Sequence, residues 1–375
     1  MSESSEQKSR SRLRWIAAFF IALGGIGVLL AEFAAFIPPS QAVFLAPFGL
    51  FYPISASMLM VGIAGALVFR RWKWGAVGIV LLWISGSHFL GTFGGWSGAN
   101  GSNEEQSLKI LTWNVRQFNR YAWIESPGVR DSILTYLKEE KADVICLQEC
   151  FLEERKIPWM SKERLMKATG MNHWAEEFKL GRGHDKLFGL TVLSRYPILS
   201  VDTIRFDNDK NNSAMHIDVA FDDDTLRIFN LHLSSIGFEE SDYDAVKHIE
   251  LESSRARLME RLSVAWIKRE QQANRVVDRV ESSPFRCIVA GDFNDTPVSY
   301  TSGVMSHVLR DAYAQVWNHD GPFLGATYAG DIPFLRIDQV WMDSSLKIKS
   351  YKTGNVAWSD HRPVTVEFYA AKRDR

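Results

Sequence analysis

Residues 286–295 read RCIVAGDFND, and the way this stretch is read decides the fold. Cys287 to Ala290 form an apolar run suited to a buried strand, which ends in the polar pair Asp292 and Asn294. Strand-end loops on a rigid sheet are where catalytic groups gather, although Asp and Asn also frequent turns for local hydrogen-bonding reasons. The same pattern recurs on either side. LKILTWNV (108–115) carries Asn114, ADVICLQE (142–149) ends in Glu149, LRIFNLHL (226–233) carries His232, RIDQVWM (336–342) carries Asp338, and SDHRP (359–363) brings Asp360 and His361. Further β runs are expected at 189–194, 215–221 and 364–369. Ser126 and Pro127 are expected to start a helix whose inner face holds Ile133, Leu134 and Leu137. A longer helix, whole or broken, is expected over 243–280, where many Arg and Lys residues form a solvated face. Many strands with few intervening helices favour two packed sheets flanked by helices over a parallel doubly wound sheet.

The collected polar residues match what phosphate-ester cleavage requires. Carboxylates at Glu149 and Asp360 suit Mg²⁺ or Mn²⁺, hard cations that take oxygen ligands and polarise a phosphoryl oxygen. His232 and His361 suit proton transfer near neutral pH. Amides at Asn114 and Asn294 suit hydrogen bonds to phosphoryl oxygens. Any one of these residues alone is ambiguous, and His173, His184 and His216 are read as surface or core residues.

Taken in order, WNV (113–115), QE (148–149), SRYPI (194–198), NLHL (230–233), GDFN (291–294), RID (336–338) and SDHRP resemble the endonuclease/exonuclease/phosphatase superfamily. That superfamily includes DNase I, neutral sphingomyelinases, abasic-site endonucleases and inositol-polyphosphate 5-phosphatases. The resemblance spans about residues 108–370 and implies an α/β fold, the four-layered DNase I-like sandwich. It also implies roles. Glu149 resembles the principal metal ligand, with Asn114 and Asp360 completing the metal and phosphate surroundings. Asp338 and His361 resemble a pair in which the carboxylate orients an imidazole base toward water. Asp292 and Asn294 resemble the residues that position water and the scissile phosphate, and His232 the histidine that assists the leaving oxygen. A histidine at 232 is similar to the DNase I and sphingomyelinase branches, since abasic-site endonucleases usually have Tyr there. Arg116 departs from members with an acid at that position, which disfavours a second metal and makes Arg116 a candidate for binding substrate phosphate.

The N-terminal portion has a different composition. Three apolar stretches, Trp15 to Ile37, Val43 to Phe69 and Gly75 to Phe93, are each long enough to cross a hydrocarbon core of about 30 Å, so three transmembrane helices are expected within an anchor over 1–94. A cleaved signal peptide has a single apolar region of roughly 7–15 residues and fits poorly. Lys8, Arg10, Arg12 and Arg14 precede the first stretch, and Arg70, Arg71 and Lys73 lie between the second and third. The positive-inside rule makes both segments cytoplasmic, which puts everything after Phe93 on the opposite side, periplasmic or cell-surface in a bacterium. Glu32 and His88 are ionisable groups near the expected outer ends of their helices. Residues 95–107 are expected to be a flexible linker to a catalytic domain over 108–375.

Charge is uneven along the chain: residues 1–99 carry 7 Lys or Arg against 3 Asp or Glu, leaving 36 against 41 beyond. A mildly acidic domain lacks the footprint of a non-specific nucleic-acid binder. Only Cys146, Cys150 and Cys287 are present, too few for a disulfide framework or a zinc motif. The sequence therefore points to a membrane-anchored, divalent-metal-dependent phosphoesterase of the phosphodiesterase or nuclease type, with the bilayer as a partner. Its substrate is open among lipid, nucleic acid and small phosphorylated molecules. The competing class is a catalytically silent binding module of the same fold, against which the full set of carboxylates, histidines and asparagines argues.

Overall fold

The computed structural model describes residues 3–95, 106–156, 158–180, 186–207, 209, 212–236, 252–316, 320–330, 332 and 334–369. Twelve strands form two six-stranded sheets. The first contains β1 (Ser107–Asn114), β2 (Val144–Glu153), β3 (His173–Leu180), β4 (Lys186–Ser194), β11 (Lys347–Thr353) and β12 (Val364–Tyr369), in the order β11-β12-β1-β2-β4-β3. The second contains β5 (Ile198–Arg205), β6 (Ser213–Phe221), β7 (Asp224–His232), β8 (Arg286–Asp292), β9 (Arg310–Asp311) and β10 (Asp338–Met342), in the order β5-β6-β7-β8-β10-β9. Each sheet is mixed, with one parallel pair near its centre: β1 with β2, and β7 with β8.

The apolar side chains of alternate residues close the space between the sheets. Ile110, Cys146 and Val192 from the first face Ile217, Ile228 and Ile288 from the second in one buried cluster. Within it, Gln148 donates to Asn230 Oδ1 at 2.7 Å, and Asn230 donates to the backbone oxygens of Leu147 and Thr191. These amides join the sheets at a fixed register, because a buried amide left without partners costs about 1–3 kcal/mol. Helices cover the outer faces. On the first sheet, α7 (Val129–Glu139) and α8 (Lys162–Thr169) bury Ile133, Leu134, Leu137 and Leu165 against Leu111, Trp113 and Ile145. On the second, α9 (Glu252–Glu281) and α10 (Tyr300–Val308) bury Val276 and Met305 against Phe229 and Val289. Helix, sheet, sheet and helix are the four layers expected.

Some expectations need correction. The first helix of this domain begins at Val129, after Gly128 with φ 77°, and not at Ser126 and Pro127. The left-handed conformation, which glycine adopts without steric cost, delays the helix start. The expected long helix appears as α9 from Glu252, and residues 243–251 lie outside the described residues. The sequence predicts specificity-shaping loops at Trp174 to Lys186 and Ser235 to Asp244; the first instead contains most of edge strand β3, paired along its length with β4, while residues 181–185 lie outside the described residues. The second expected loop, from Ser235, is described only as far as Ile236.

Ahead of the sandwich run α1 (Glu3–Phe36), the short helices α2 (Pro39–Ala42) and α3 (Ala46–Leu50), then α4 (Tyr52–Val68), α5 (Trp72–Ile84) and α6 (Gly86–Phe93). Leu13–Phe36 is one helix long and apolar enough to cross a membrane. The second and third stretches are bent pairs, by 57° between α3 and α4 and by 75° between α5 and α6, so the number of spans is between one and three. Pro53 follows the first break, where proline sits at the start of a helix that it would interrupt internally. Glycines let α1 and α4 pack closely: a Cβ on Gly62 would lie 2.7 Å from the Ile21 nitrogen. Glu32 and His88 meet at 2.8 Å, and Tyr52 donates to Ser85 Oγ at 3.0 Å, so these polar groups join helices to one another.

The helical layer also touches the sandwich directly. Both the backbone nitrogen and the hydroxyl of Ser40 donate to Glu270 on α9 at 2.7 Å. Arg336 donates to the Gly91 oxygen at 2.8 Å, and Val298 belongs to the apolar cluster of Val28, Ala31 and Tyr52. Gly303 of α10 lies so close to α1 that a Cβ there would sit 2.1 Å from the Ala35 oxygen. The stretch read as a linker is described only at its ends, where the Gly95 nitrogen donates to the Val316 oxygen.

Candidate active site

The candidate residues converge where the central strands of both sheets end. Strand pairing puts His232, Asp292 and Asp338 side by side, because His232 registers with Asp292 across β7 and β8, and Asp338 registers with Asp292 across β8 and β10. Gly291 permits that arrangement: its φ is 148°, and a Cβ there would lie 2.1 Å from the Leu231 oxygen of the neighbouring strand. From the other sheet, Asn114 ends β1. Glu149 sits in a bulge of β2, where the register with β4 jumps between Leu147 and Cys150. The bulge turns the Glu149 side chain out of the strand's alternation, at φ 49°. Arg116 and Asn294 are also left-handed, at 40° and 50°. Such backbone costs about 1–3 kcal/mol per residue and clusters at functional sites.

Asp292 is the hub. Its Oδ2 accepts from Asn114 Nδ2 at 3.0 Å and lies 3.6 Å from Nε2 of both His232 and His361, while its Oδ1 accepts from the Asn294 nitrogen at 2.9 Å. Asn114 Nδ2 also donates to Glu149 at 3.2 Å, and His232 Nε2 stands 4.0 Å from Glu149. His361 Nδ1 is 2.9 Å from Asp338 Oδ2, both residues being buried. Burial opposes charge on His361, but the carboxylates of Asp338 and Asp292 outweigh it and hold the imidazole well above its usual pKa. Burial, reinforced by Asp292, raises Asp338 above the ordinary carboxylate range against the pull of His361. The pair therefore favours a proton held between them.

The loop carrying Asp360 and His361 is pinned to the end of β1. Ser359 donates to the Asn114 oxygen at 2.7 Å and accepts from the His361 nitrogen, and Trp113 donates to the His361 oxygen at 2.8 Å. Arg116 lies 3.4 Å from Asp360 and stacks over Trp123, so its nearest anion is a site carboxylate. Asn294 Nδ2 donates to the Leu233 oxygen. All nine candidate residues thus gather around one centre, and the two asparagines spend donors on protein groups.

Residues 111–361 match the Endonuclease/Exonuclease/phosphatase family over two thirds of the sequence. The chain belongs to the endonuclease/exonuclease/phosphatase family. Solved structures with the same fold include an endonuclease/exonuclease/phosphatase from Beutenbergia cavernae, 22% identical, covering 71% of this chain and 72% of that one with a TM-score of 0.52. A second, from Bacteroides vulgatus, is 16% identical and covers 71% of this chain and 100% of that one, also with a TM-score of 0.52. A family protein from Leptotrichia buccalis is 20% identical, with coverage of 69% and 98% and a TM-score of 0.50.

Beyond the expected residues, this member of the family has a cavity of about 730 Å³ that starts at Glu149 and His232 and runs along α9, past Arg257, Val264 and Lys268. Arg257 and Lys268 lie about three turns apart on one face of the helix, with Arg261 and the acidic Glu260 between them, on a helix whose charges were expected to form a solvated surface. Only the chain path, which lays α9 beside the end of β7, turns that face toward the centre. Thr327 was also missed: its hydroxyl accepts from the Ile337 and Asp338 nitrogens at 2.9 Å and fixes the start of β10.

Among the described residues, one compact group of potential metal ligands is present. Asp292, Asp338 and His361 offer ligand atoms within 4.8 Å of one another, but all three are buried, a poor match to Mg²⁺, which retains several waters. Glu149, which lines the cavity, and Asp360 have carboxylates about a quarter exposed, which suits a hydrated hard cation better.

Proposed function

We propose that the chain is a divalent-metal-dependent phosphoester hydrolase, held at a membrane by its N-terminal helices. The observation that carries this reading is the hub at Asp292, within 3.6 Å of both histidine Nε2 atoms while Asp338 holds the far side of the His361 ring. A binding module has no use for two histidines aimed at one carboxylate beside an open Glu149.

Glu149 and Asp360 would hold Mg²⁺ or Mn²⁺, with Asn114 orienting Glu149. The ion would supply Lewis-acid polarisation of a phosphoryl oxygen. His361 takes a proton from the attacking water at Nε2, and Asp338 fixes its tautomer through Nδ1. His232, across Asp292, delivers a proton to the leaving oxygen. Asn294 holds the Asp292 carboxylate through its backbone nitrogen. Arg116 offers positive charge at the rim, where an incoming phosphate competes with Asp360 for it. The cationic wall of α9 receives the rest of an anionic phosphodiester or phosphomonoester.

Membrane attachment is supported by the apolar 24-residue helix Leu13–Phe36 and by the set of contacts with the sandwich, which involve Ala35, Ser40, Gly49 and Gly91 at one end of the bundle. Arg70, Arg71 and Lys73 lie at the other end, the cytoplasmic one under the positive-inside rule, so the catalytic domain is extracytoplasmic.

The test is hydrolysis of a soluble bis-ester, nucleic acid and lipid by the full chain in detergent, with Mg²⁺, Mn²⁺ or EDTA, beside Glu149→Ala. EDTA and Glu149→Ala are each expected to abolish turnover, with circular dichroism unchanged. Equal turnover by Glu149→Ala would remove Glu149 from the metal site. Absence of turnover on nucleic acid, lipid and bis-ester alike, from a folded chain, would favour the silent module.

A further inference from the structure

We propose that Phe323, Ile332 and Phe334 of the catalytic domain form a second contact with the bilayer, beside the N-terminal helices, on the segment whose inner edge braces the His361 side of the active centre. The inference rests on reading Leu13–Phe36 as membrane-spanning.

Phe323, Ile332 and Phe334 are exposed apolar side chains, Phe323 at 79%. On a water-facing surface such a cluster is unfavourable, and its position explains it. Leu324, Phe334 and Leu335 line a crevice shared with Gly49, Leu50 and Pro53 of the helical layer. Next to those helical residues, Phe51 and Ile54 are themselves more than half exposed. The two sets make one apolar belt around the outer ends of the helices, continuous from the anchor onto the catalytic domain. Aromatic and aliphatic side chains at the depth of a headgroup layer are suited to its boundary with the acyl chains. The occupant the belt fits is therefore the bilayer that surrounds the anchor.

The inner edge of the same segment touches the catalytic residues. Thr327 holds the Asp338 nitrogen, the Ala329 nitrogen donates to the Asp360 oxygen at 2.7 Å, and the Tyr328 ring lies 5.7 Å from the His361 ring. Arg362 closes the segment by donating to the Ala326 and Tyr328 oxygens. One short stretch thus has an apolar outer edge and an inner edge that braces three site residues.

The test uses the full chain in nanodiscs, with single fluorescent labels at Phe323→Cys, Phe334→Cys, Leu199→Cys and Phe19→Cys. The native cysteines are buried and do not compete for label. Leu199 is exposed on β5, at the sheet edge opposite β9 and so away from the anchor, and Phe19 lies within the spanning helix. Labels at 323 and 334 are expected to be quenched by shallow nitroxide lipids several-fold more than the label at 199, and to be shielded from aqueous iodide. Lipid quenching at 19, with 323 and 334 behaving like 199, would overturn the second contact while leaving the anchor intact. Absence of lipid quenching at 19 would overturn the spanning reading and the inference with it.

Discussion

His361 is the residue at which charge and chemistry are most tightly linked. Its pKa is raised by Asp338 and Asp292 against burial, so the ring keeps its proton to higher pH than an isolated histidine, and in the proposed mechanism it serves as base only above that point. Asp338→Asn removes the larger source of attraction for the imidazolium, and the sign follows: the pKa falls, and the acidic limb of the kcat/KM profile moves to lower pH. The same substitution frees the tautomer, so the rate at the optimum is expected to fall about 10²–10⁴-fold. A pH–rate profile of the variant measures both, and an unmoved limb would assign the base elsewhere. These residues were legible in the sequence because each stands at a strand end in a characteristic order. Their mutual contacts were not. That Arg116 meets Asp360, or that Asn114 points its amide nitrogen at two carboxylates, depends on left-handed backbone at Arg116 and a bulge at Glu149, which leave no periodic trace in the sequence.

At the scale of elements, legibility follows burial. The central strands β1, β2, β7, β8 and β12 were expected because both of their faces are covered and their sequences are nearly continuous apolar runs. The outer strands β3, β5 and β11 were not, since HWAEEFKL, ILSVDTIR and KIKSYKT carry the charges that guard sheet edges against pairing with other chains. Helix α9 was expected from its periodicity, whereas the face it turns to the cavity was not. Arg257 and Lys268 line that cavity from α9. Replacing both with Ala is expected to raise KM for an anionic bis-ester roughly tenfold, equivalent to about 1.4 kcal/mol, with kcat nearly unchanged. Steady-state kinetics at two salt concentrations checks this, because screening must weaken the wild-type protein more than the variant.

For the whole molecule, the contacts between the helical layer and the sandwich make the two parts depend on one another. A fragment beginning at residue 106 loses the Gly91 oxygen that accepts from Arg336 and the Ser40 donors to Glu270, and it uncovers Val298. A lost hydrogen bond to a charged group costs about 1.5–3 kcal/mol, so the fragment is expected to melt below the full chain when both are followed in the same detergent. Topology has its own measurement. A reporter active only outside the cytoplasm, fused after Phe93, is expected to give signal, and a silent but stably expressed fusion would reverse the orientation. The seat made by Ser40, Gly91 and Gly303 has a kinetic corollary. A domain on a loose leash sweeps a volume and meets substrates at many heights, whereas one seated on its own helices stays at a single altitude with its opening turned one way. For a substrate carried in the bilayer that the proposed anchor spans, encounters become a two-dimensional search, and the relevant concentration is the number of substrate molecules per unit area of surface at that height, which dilution of the surrounding solution leaves unchanged.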